Sequence, residues 1–108
     1  MATTYKVLGQ SAPSATTPSD LYTVPAATEA VVSTITVANL GTSGTFRIAI
    51  RPDGATIANQ HYIVYDALIL ANETVTFTLG LTCDASDVLE VYASTANLTF
   101  NAYGAEIA

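Results

Sequence analysis

The chain has one cysteine, one histidine and no tryptophan. With Cys83 alone, no internal disulfide can form, so core packing and hydrogen bonds must hold the fold. One cysteine and one histidine, His61, are too few for an ordinary zinc site. A cysteine nucleophile would need His61 as its base, and an inert, partly buried thiol is the simpler reading. Cations are also scarce: Lys6, Arg47 and Arg51 stand against nine acids, a formal net charge of -6. Nucleic-acid binding needs clustered cations to neutralise phosphates, so that class is excluded, and anionic lipid would repel this surface. The longest apolar runs, such as Ala67–Ala71, fall far short of the roughly 20 residues of a spanning helix. Met1–Lys6 lacks the apolar stretch of a signal peptide, which predicts a protein made and used without Sec export. Neither a glycine-rich phosphate loop nor a G-x-S-x-G elbow is present.

Charged residues make up 11% of the chain, against about 25% in ordinary soluble domains, while half of it is apolar. Alanine, threonine and serine fill the gap. Such a surface costs little to desolvate and suits a protein packed against other protein chains; a monomer with a neutral, threonine-rich exterior is the plainer alternative. A chain of 108 residues is long enough for one domain with one core.

What is abundant is alternation. Phe46, Ile48 and Ile50 alternate with Arg47, Ala49 and Arg51 in Thr45–Arg51, placing bulky apolar side chains on one face and both arginines on the other. Ala30–Asn39 alternates less cleanly, with Val31, Ile35 and Val37 on one face and Val32, Thr34, Thr36 and Ala38 on the other. Around Leu40–Gly44 these two read as a hairpin, in a register that a one-residue slip would ruin. Further strands are expected at Thr4–Leu8, Asp20–Val24, His61–Leu70, Thr74–Leu81, Val88–Ser94 and Leu98–Tyr103. In Thr74–Leu81, Val75, Phe77, Leu79 and Leu81 are expected inward. Arg51-Pro52-Asp53-Gly54 is a strong turn signal, since proline presets φ and Asp and Gly accept left-handed backbone. No run has helical period. About eight short antiparallel strands argue for an all-β protein, a single small β-sandwich of jelly-roll or immunoglobulin-like type. Residues 1–19, with Pro13 and Pro18, read as an N-terminal arm and linker, and 20–108 as the sandwich. Thr4–Leu8 pairs either with a neighbouring subunit or, as an edge strand, within the chain.

His61–Leu70 is apolar on both faces, with Tyr62, Val64, Leu68 and Leu70 on one and Ile63, Tyr65, Ala67 and Ile69 on the other. Either an exposed second face marks a contact surface, or a bulge near Asp66 swaps the faces midway. Arg47 and Arg51 either dock carboxylates of a partner or pair within the chain with Glu90 or Asp66. Asp84 and Asp87 share a loop, and a solvated acidic turn is the default over a weak calcium site. Tyr62, Tyr65, Tyr92 and Tyr103 suit a sugar ring or a protein interface equally.

Leu21-Tyr22-Thr23-Val24-Pro25-Ala26, Val31-Val32-Ser33-Thr34-Ile35-Thr36-Val37 and Phe46-Arg47-Ile48-Ala49-Ile50-Arg51-Pro52-Asp53-Gly54-Ala55 resemble a family of small structural proteins of tailed bacteriophages. His61-Tyr62-Ile63, Leu79-Gly80-Leu81-Thr82 and Val91-Tyr92-Ala93-Ser94-Thr95 extend the likeness over nearly the whole chain. The resemblance implies a virion accessory subunit: a capsid decoration (cement) protein or a small tail or neck component, assembled into particles in the host cytoplasm. It implies no catalytic, cofactor-binding or metal-binding residues. It implies repeated copies, trimers in the cement case, leaning on the major capsid or tail protein. The candidate contacts are Arg47, Arg51, Tyr62, Ile63 and Tyr65, with Tyr5 and Lys6 of the arm. The competing reading is a fibre component that recognises cell-surface glycans.

Overall fold

A strand that alternates buries one face only, so a chain of alternating strands must close two sheets on each other. The structure, a computed structural model that describes residues 2–108, does so with eight antiparallel strands. They are β1 (Thr3–Ser11), β2 (Ser19–Thr23), β3 (Glu29–Asn39), β4 (Gly44–Arg51), β5 (Tyr62–Ile69), β6 (Thr74–Cys83), β7 (Val88–Ala93) and β8 (Leu98–Ile107). Sheet I has the order β1-β8-β3-β6 and sheet II the order β2-β7-β4-β5. First pairs with last, second with seventh, third with sixth and fourth with fifth. The chain is thus one long hairpin folded over on itself and closed by β3–β8 and β4–β7 pairing. This is jelly-roll connectivity, the first of the two sandwich types expected.

The expected β3–β4 hairpin does not form. β3 lies in sheet I and β4 in sheet II, joined by an arch over the end of the sandwich. Both strands have an apolar face to bury, and stacking those faces across the core satisfies both at once. Asn39 builds the arch. Its Nδ2 donates to the carbonyls of Thr42 (2.8 Å), Leu70 (3.1 Å) and Ile69 (3.3 Å), and its Oδ1 accepts from the Gly41 N–H at 3.0 Å. Asn39 is buried, so these bonds replace water that it cannot reach.

The core lies between the sheets. Phe46 of β4 meets Phe77 of β6 and Phe100 of β8 edge-on, with centroids 5.9 and 6.3 Å apart. Val32, Ile35, Val37, Ile48, Ile69, Leu89, Val91 and Leu98 surround them, all fully buried. The inward sets expected for β4, β7 and β8 are found in place. Bulges alter the others. A register shift at Ser33 sends Val32 to the core and leaves Val31 outside it, reversing the expected parity at the start of β3. A second, at Leu79 and the left-handed Gly80 (φ 62°), turns Leu79 out to solvent rather than inward.

Residues 3–11 are part of the sandwich. β1 pairs with β8 of the same chain, the intrachain alternative, and Ala12–Pro18 crosses from sheet I to sheet II. The Thr16 N–H bonds the Ala93 carbonyl at 2.8 Å on the way. Pro52–Gly54 and Asn59–His61 are single 3-10 turns between β4 and β5, the first with Asp53 and Gly54 left-handed as the turn signal requires. Among the described residues no helix is long and apolar enough to cross a membrane.

Replacing Asn39 by Ala leaves a buried arch with unpaired carbonyls. We expect Asn39→Ala to lower unfolding free energy by about 2–4 kcal/mol in urea titration. A loss below about 1 kcal/mol would show that the arch holds without its side-chain clamp.

Candidate interaction surfaces

The seven candidate contact residues do not share one surface. Arg47, Arg51, Tyr62 and Tyr65 gather on sheet II, while Tyr5 and Lys6 lie on β1 of sheet I. Ile63 joins neither face, because it packs against the core at the edge of sheet II.

On sheet II the β4 alternation places Arg47 outward beside its cross-strand partner Tyr92 of β7. On its other side β5 makes a bulge: Phe46 faces Ala67 and Ile48 faces Val64, so both Tyr65 and Asp66 oppose Arg47. Asp66 takes up left-handed backbone there (φ 51°). The guanidinium carbon of Arg47 then sits 4.3 Å from the Tyr65 ring centroid and 4.4 Å from that of Tyr92. Arg47 Nε donates to Asp66 Oδ1 at 2.6 Å and Nη2 to Oδ2 at 3.3 Å. Tyr62 packs on Tyr65 at 4.8 Å with the rings nearly perpendicular, and with Asn59 they line a shallow pocket of about 310 Å³. Beyond the bulge Leu68 is exposed. The bulge and the exposed second face expected as alternatives for β5 therefore occur together.

Arg51 is also paired within the chain. Its Nη2 donates to Asp20 Oδ1 at 3.1 Å and its Nη1 to the carbonyls of Ala55 (2.9 Å) and Gly54 (3.2 Å). Its Nε lies 3.1 Å from Glu90 Oε1, an ion-pair contact outside hydrogen-bond geometry. Both arginines therefore carry a carboxylate of their own chain, Asp66 on Arg47 and Asp20 and Glu90 on Arg51.

Lys6 completes the set of internal pairs. Its Nζ donates to Glu106 Oε1 at 3.0 Å, and the Tyr22 hydroxyl donates to Glu106 Oε2 at 2.6 Å. One carboxylate thus ties β1, β8 and, across the sandwich, β2. The Tyr22 hydrogen bond and then Lys6 hold Glu106 below the ordinary carboxylate range. Burial, and then Glu106, push the Tyr22 hydroxyl above its ordinary value.

The outer face of sheet I holds what sequence reasoning missed. Thr3, Tyr5 and Val7 of β1 stand across from Ile107, Ala105 and Tyr103 of β8, and Val31 lies across from Ala105 on β3. They line an open, almost wholly apolar groove of about 730 Å³ that no carboxylate borders. Tyr5 is 84% exposed, Val7 48% and Tyr103 37%. Gly104 forms part of its floor, where a Cβ would strike the Val31 carbonyl. The signal was present as the alternation Thr3-Tyr5-Val7 and Tyr103-Ala105-Ile107. The expected end of the last strand at Tyr103 hid its second half.

Elsewhere, Cys83 is buried, and burial first, then the Asp87 charge, push its thiol up, away from the nucleophilic thiolate. His61 Nδ1 accepts the Ala58 N–H at 3.0 Å. The Asp84–Asp87 loop is occupied by its own backbone. Asp87 accepts the N–H groups of Asp53 and Asp84, each at 2.8 Å, and Asp84 accepts that of Ala85 at 2.8 Å. Among the described residues no cluster of three or more His, Cys, Asp or Glu side chains is placed to hold a metal ion. Comparison with protein-family models, curated proteins and solved structures finds no match to this chain.

Arg47 works through planarity, stacking between two rings while gripping one carboxylate. Arg47→Ala should cost about 1–2 kcal/mol, and Arg47→Lys should recover little of it, since an ammonium neither stacks nor forks. Thermal denaturation of the three proteins checks this; full rescue by lysine would reduce the cluster to a simple ion pair.

Glu106, with its folded pKa depressed, contributes stability that is complete above its ordinary value of 4.5 and is lost as pH falls through the folded value. Tyr22→Phe removes the first cause of that depression. It should cost about 1.5–3 kcal/mol at neutral pH and make the acid-side fall in Tm shallower. An unchanged acid limb would assign acid sensitivity to other carboxylates.

Proposed function

We propose that this protein is a non-enzymatic structural subunit of a tailed-bacteriophage virion, a capsid decoration protein that binds the assembled shell through protein–protein contacts. The virion setting rests on the sequence resemblance. The mode of action rests on one observation, the apolar groove on the outer face of sheet I, whose one charged lining residue, Lys6, is paired with Glu106. Apolar area of that kind, open to water, gains free energy when a partner covers it, at roughly 25 cal/mol per Å². The sparse charge around it keeps the cost of desolvation low.

The groove takes the role that residue pattern alone assigned to the arginines, whose charges are matched within the chain. A subunit that binds only the assembled lattice stabilises it by mass action, without chemistry and without changing shape. The glycan-binding alternative needs open aromatic faces on which a sugar ring can lie. Tyr65 and Tyr92 each give one face to Arg47, and Tyr62 packs against Tyr65.

Particle occupancy tests the proposal. Val31→Lys with Tyr103→Lys puts two charges into the groove, where side chains can still reach water. We expect the double variant to fold and its copy number on purified particles to fall at least roughly tenfold, since two buried charges cost several kcal/mol. Arg47→Ala, on the opposite sheet, should leave occupancy unchanged. Full occupancy by the lysine variant, or release by Arg47→Ala alone, would move the contact off this groove.

A further inference from the structure

Sheet edges present unpaired backbone groups, and the four edges of this sandwich differ in how they are protected. β2 has five residues and lies between Pro18 and Pro25. β5 carries two register shifts and the left-handed Asp66. β6 is broken at Leu79–Gly80. β1 keeps one unbroken register with β8 from Thr3 to Val7, shifting only at Leu8.

The pairing also tells which groups point outward. Ala2 and Ala108 exchange N–H···O bonds in both directions, at 2.7 and 2.9 Å. Bonded and non-bonded pairs alternate along an antiparallel ladder. Thr4–Glu106 and Lys6–Gly104 are therefore the next bonded pairs. Thr3, Tyr5 and Val7 turn their N–H and C=O groups away from β8, to the open edge. These three residues also wall the apolar groove.

We propose that two copies of this chain join along β1, antiparallel, with Tyr5 opposite the partner subunit's Tyr5. In that register Thr3 meets the partner subunit's Val7 and Val7 meets the partner subunit's Thr3. Every outward N–H and C=O of the three residues then finds a mate. The side-chain pairs are aromatic with aromatic and β-branched with β-branched, both favourable across strands. Lys6 falls opposite the partner subunit's Thr4. A slip of two residues one way would set Lys6 against the partner subunit's Lys6, and the other way would break the aromatic pair, setting Tyr5 against the partner subunit's Thr3. The segment is thus complementary to itself in one register, and it carries no acid to repel a second copy of a chain with charge -6. Two-fold pairing closes as a dimer, whereas the phage-family resemblance implies trimers. The result is a continuous eight-stranded sheet with two grooves on the same side. The dimer stands independently of the virion assignment.

Sedimentation equilibrium on the whole chain tests this. The expected mass is twice 11.2 kDa. Tyr5→Pro removes an N–H that turns away from β8 to the open edge, and proline is tolerated where an edge N–H faces outward. It should give a folded monomer by circular dichroism. Thr4→Glu should tighten the dimer and Thr4→Lys weaken it, each by roughly threefold to tenfold in dissociation constant, because residue 4 faces the partner subunit's Lys6. The Thr4 pair also decides the matter if Tyr5→Pro fails to fold. A mass of 11.2 kDa or three times that value overturns the proposal. So does a dimer whose affinity ignores both Thr4 changes. Particle occupancy separates the two readings: a monomer that still decorates particles removes only the dimer, and a dimer that binds none removes only the virion role.

Discussion

The meeting of Phe46 with Phe77 and Phe100 is the contact on which the rest of the molecule depends. The chain has three phenylalanines, and it brings all of them to the centre, one from sheet II and two from sheet I. Neither sheet can bury its apolar face alone. Each needs the other, so the chain must keep crossing between them. That requirement explains why pairing runs first with last and fourth with fifth, and why β3 and β4 stack instead of pairing. The arches are its local expression, and Asn39 shows what they demand: one buried amide serving four backbone groups at a place where no strand can.

Bulges distribute the surplus of apolar side chains. Not every large apolar side chain is in the core: Val7, Leu68 and Leu79 are exposed. The shifts at Ser33, Asp66 and Leu79–Gly80 switch which face a side chain joins, so Val31, Leu68 and Leu79 leave the core that their spacing would assign to them. The same devices protect the β5 and β6 edges against pairing. The Leu8 bulge in β1 lies further along and leaves Thr3–Val7 regular, so one edge stays open beside the apolar groove.

Electrostatics in this protein acts within the fold. Each of the three cations is matched by a carboxylate of the same chain, and each pair joins different strands: β1 to β8, β4 to β5, and β4 to β2 and β7. Of the acids left over, Asp84 and Asp87 share a turn and accept backbone N–H groups there. The exposed surface of sheet I is accordingly apolar, beside an edge of unpaired backbone groups at β1.

Period-two alternation by itself determined the all-β class, the number of strands and the inward sets of β4, β7 and β8, because the pleat ties side-chain direction directly to residue parity, and the residue types of Pro52-Asp53-Gly54 determined the turn there. Composition by itself determined that no internal disulfide holds the chain together, since Cys83 stands alone. Only the tertiary structure decided which strands are neighbours, since a run such as Phe46-Arg47-Ile48-Ala49-Ile50 fits equally beside β3 or across the core from it. It also decided the faces at bulges, where one extra residue reverses parity without any mark in local composition. The site followed the same division. Arg47 and Tyr92 could be set on one outer face from alternation, but their grip on Tyr65 and Asp66 needed the bulge in β5. The groove needed β1, β8 and β3 to lie side by side, a meeting of segments some hundred residues apart that no local pattern records.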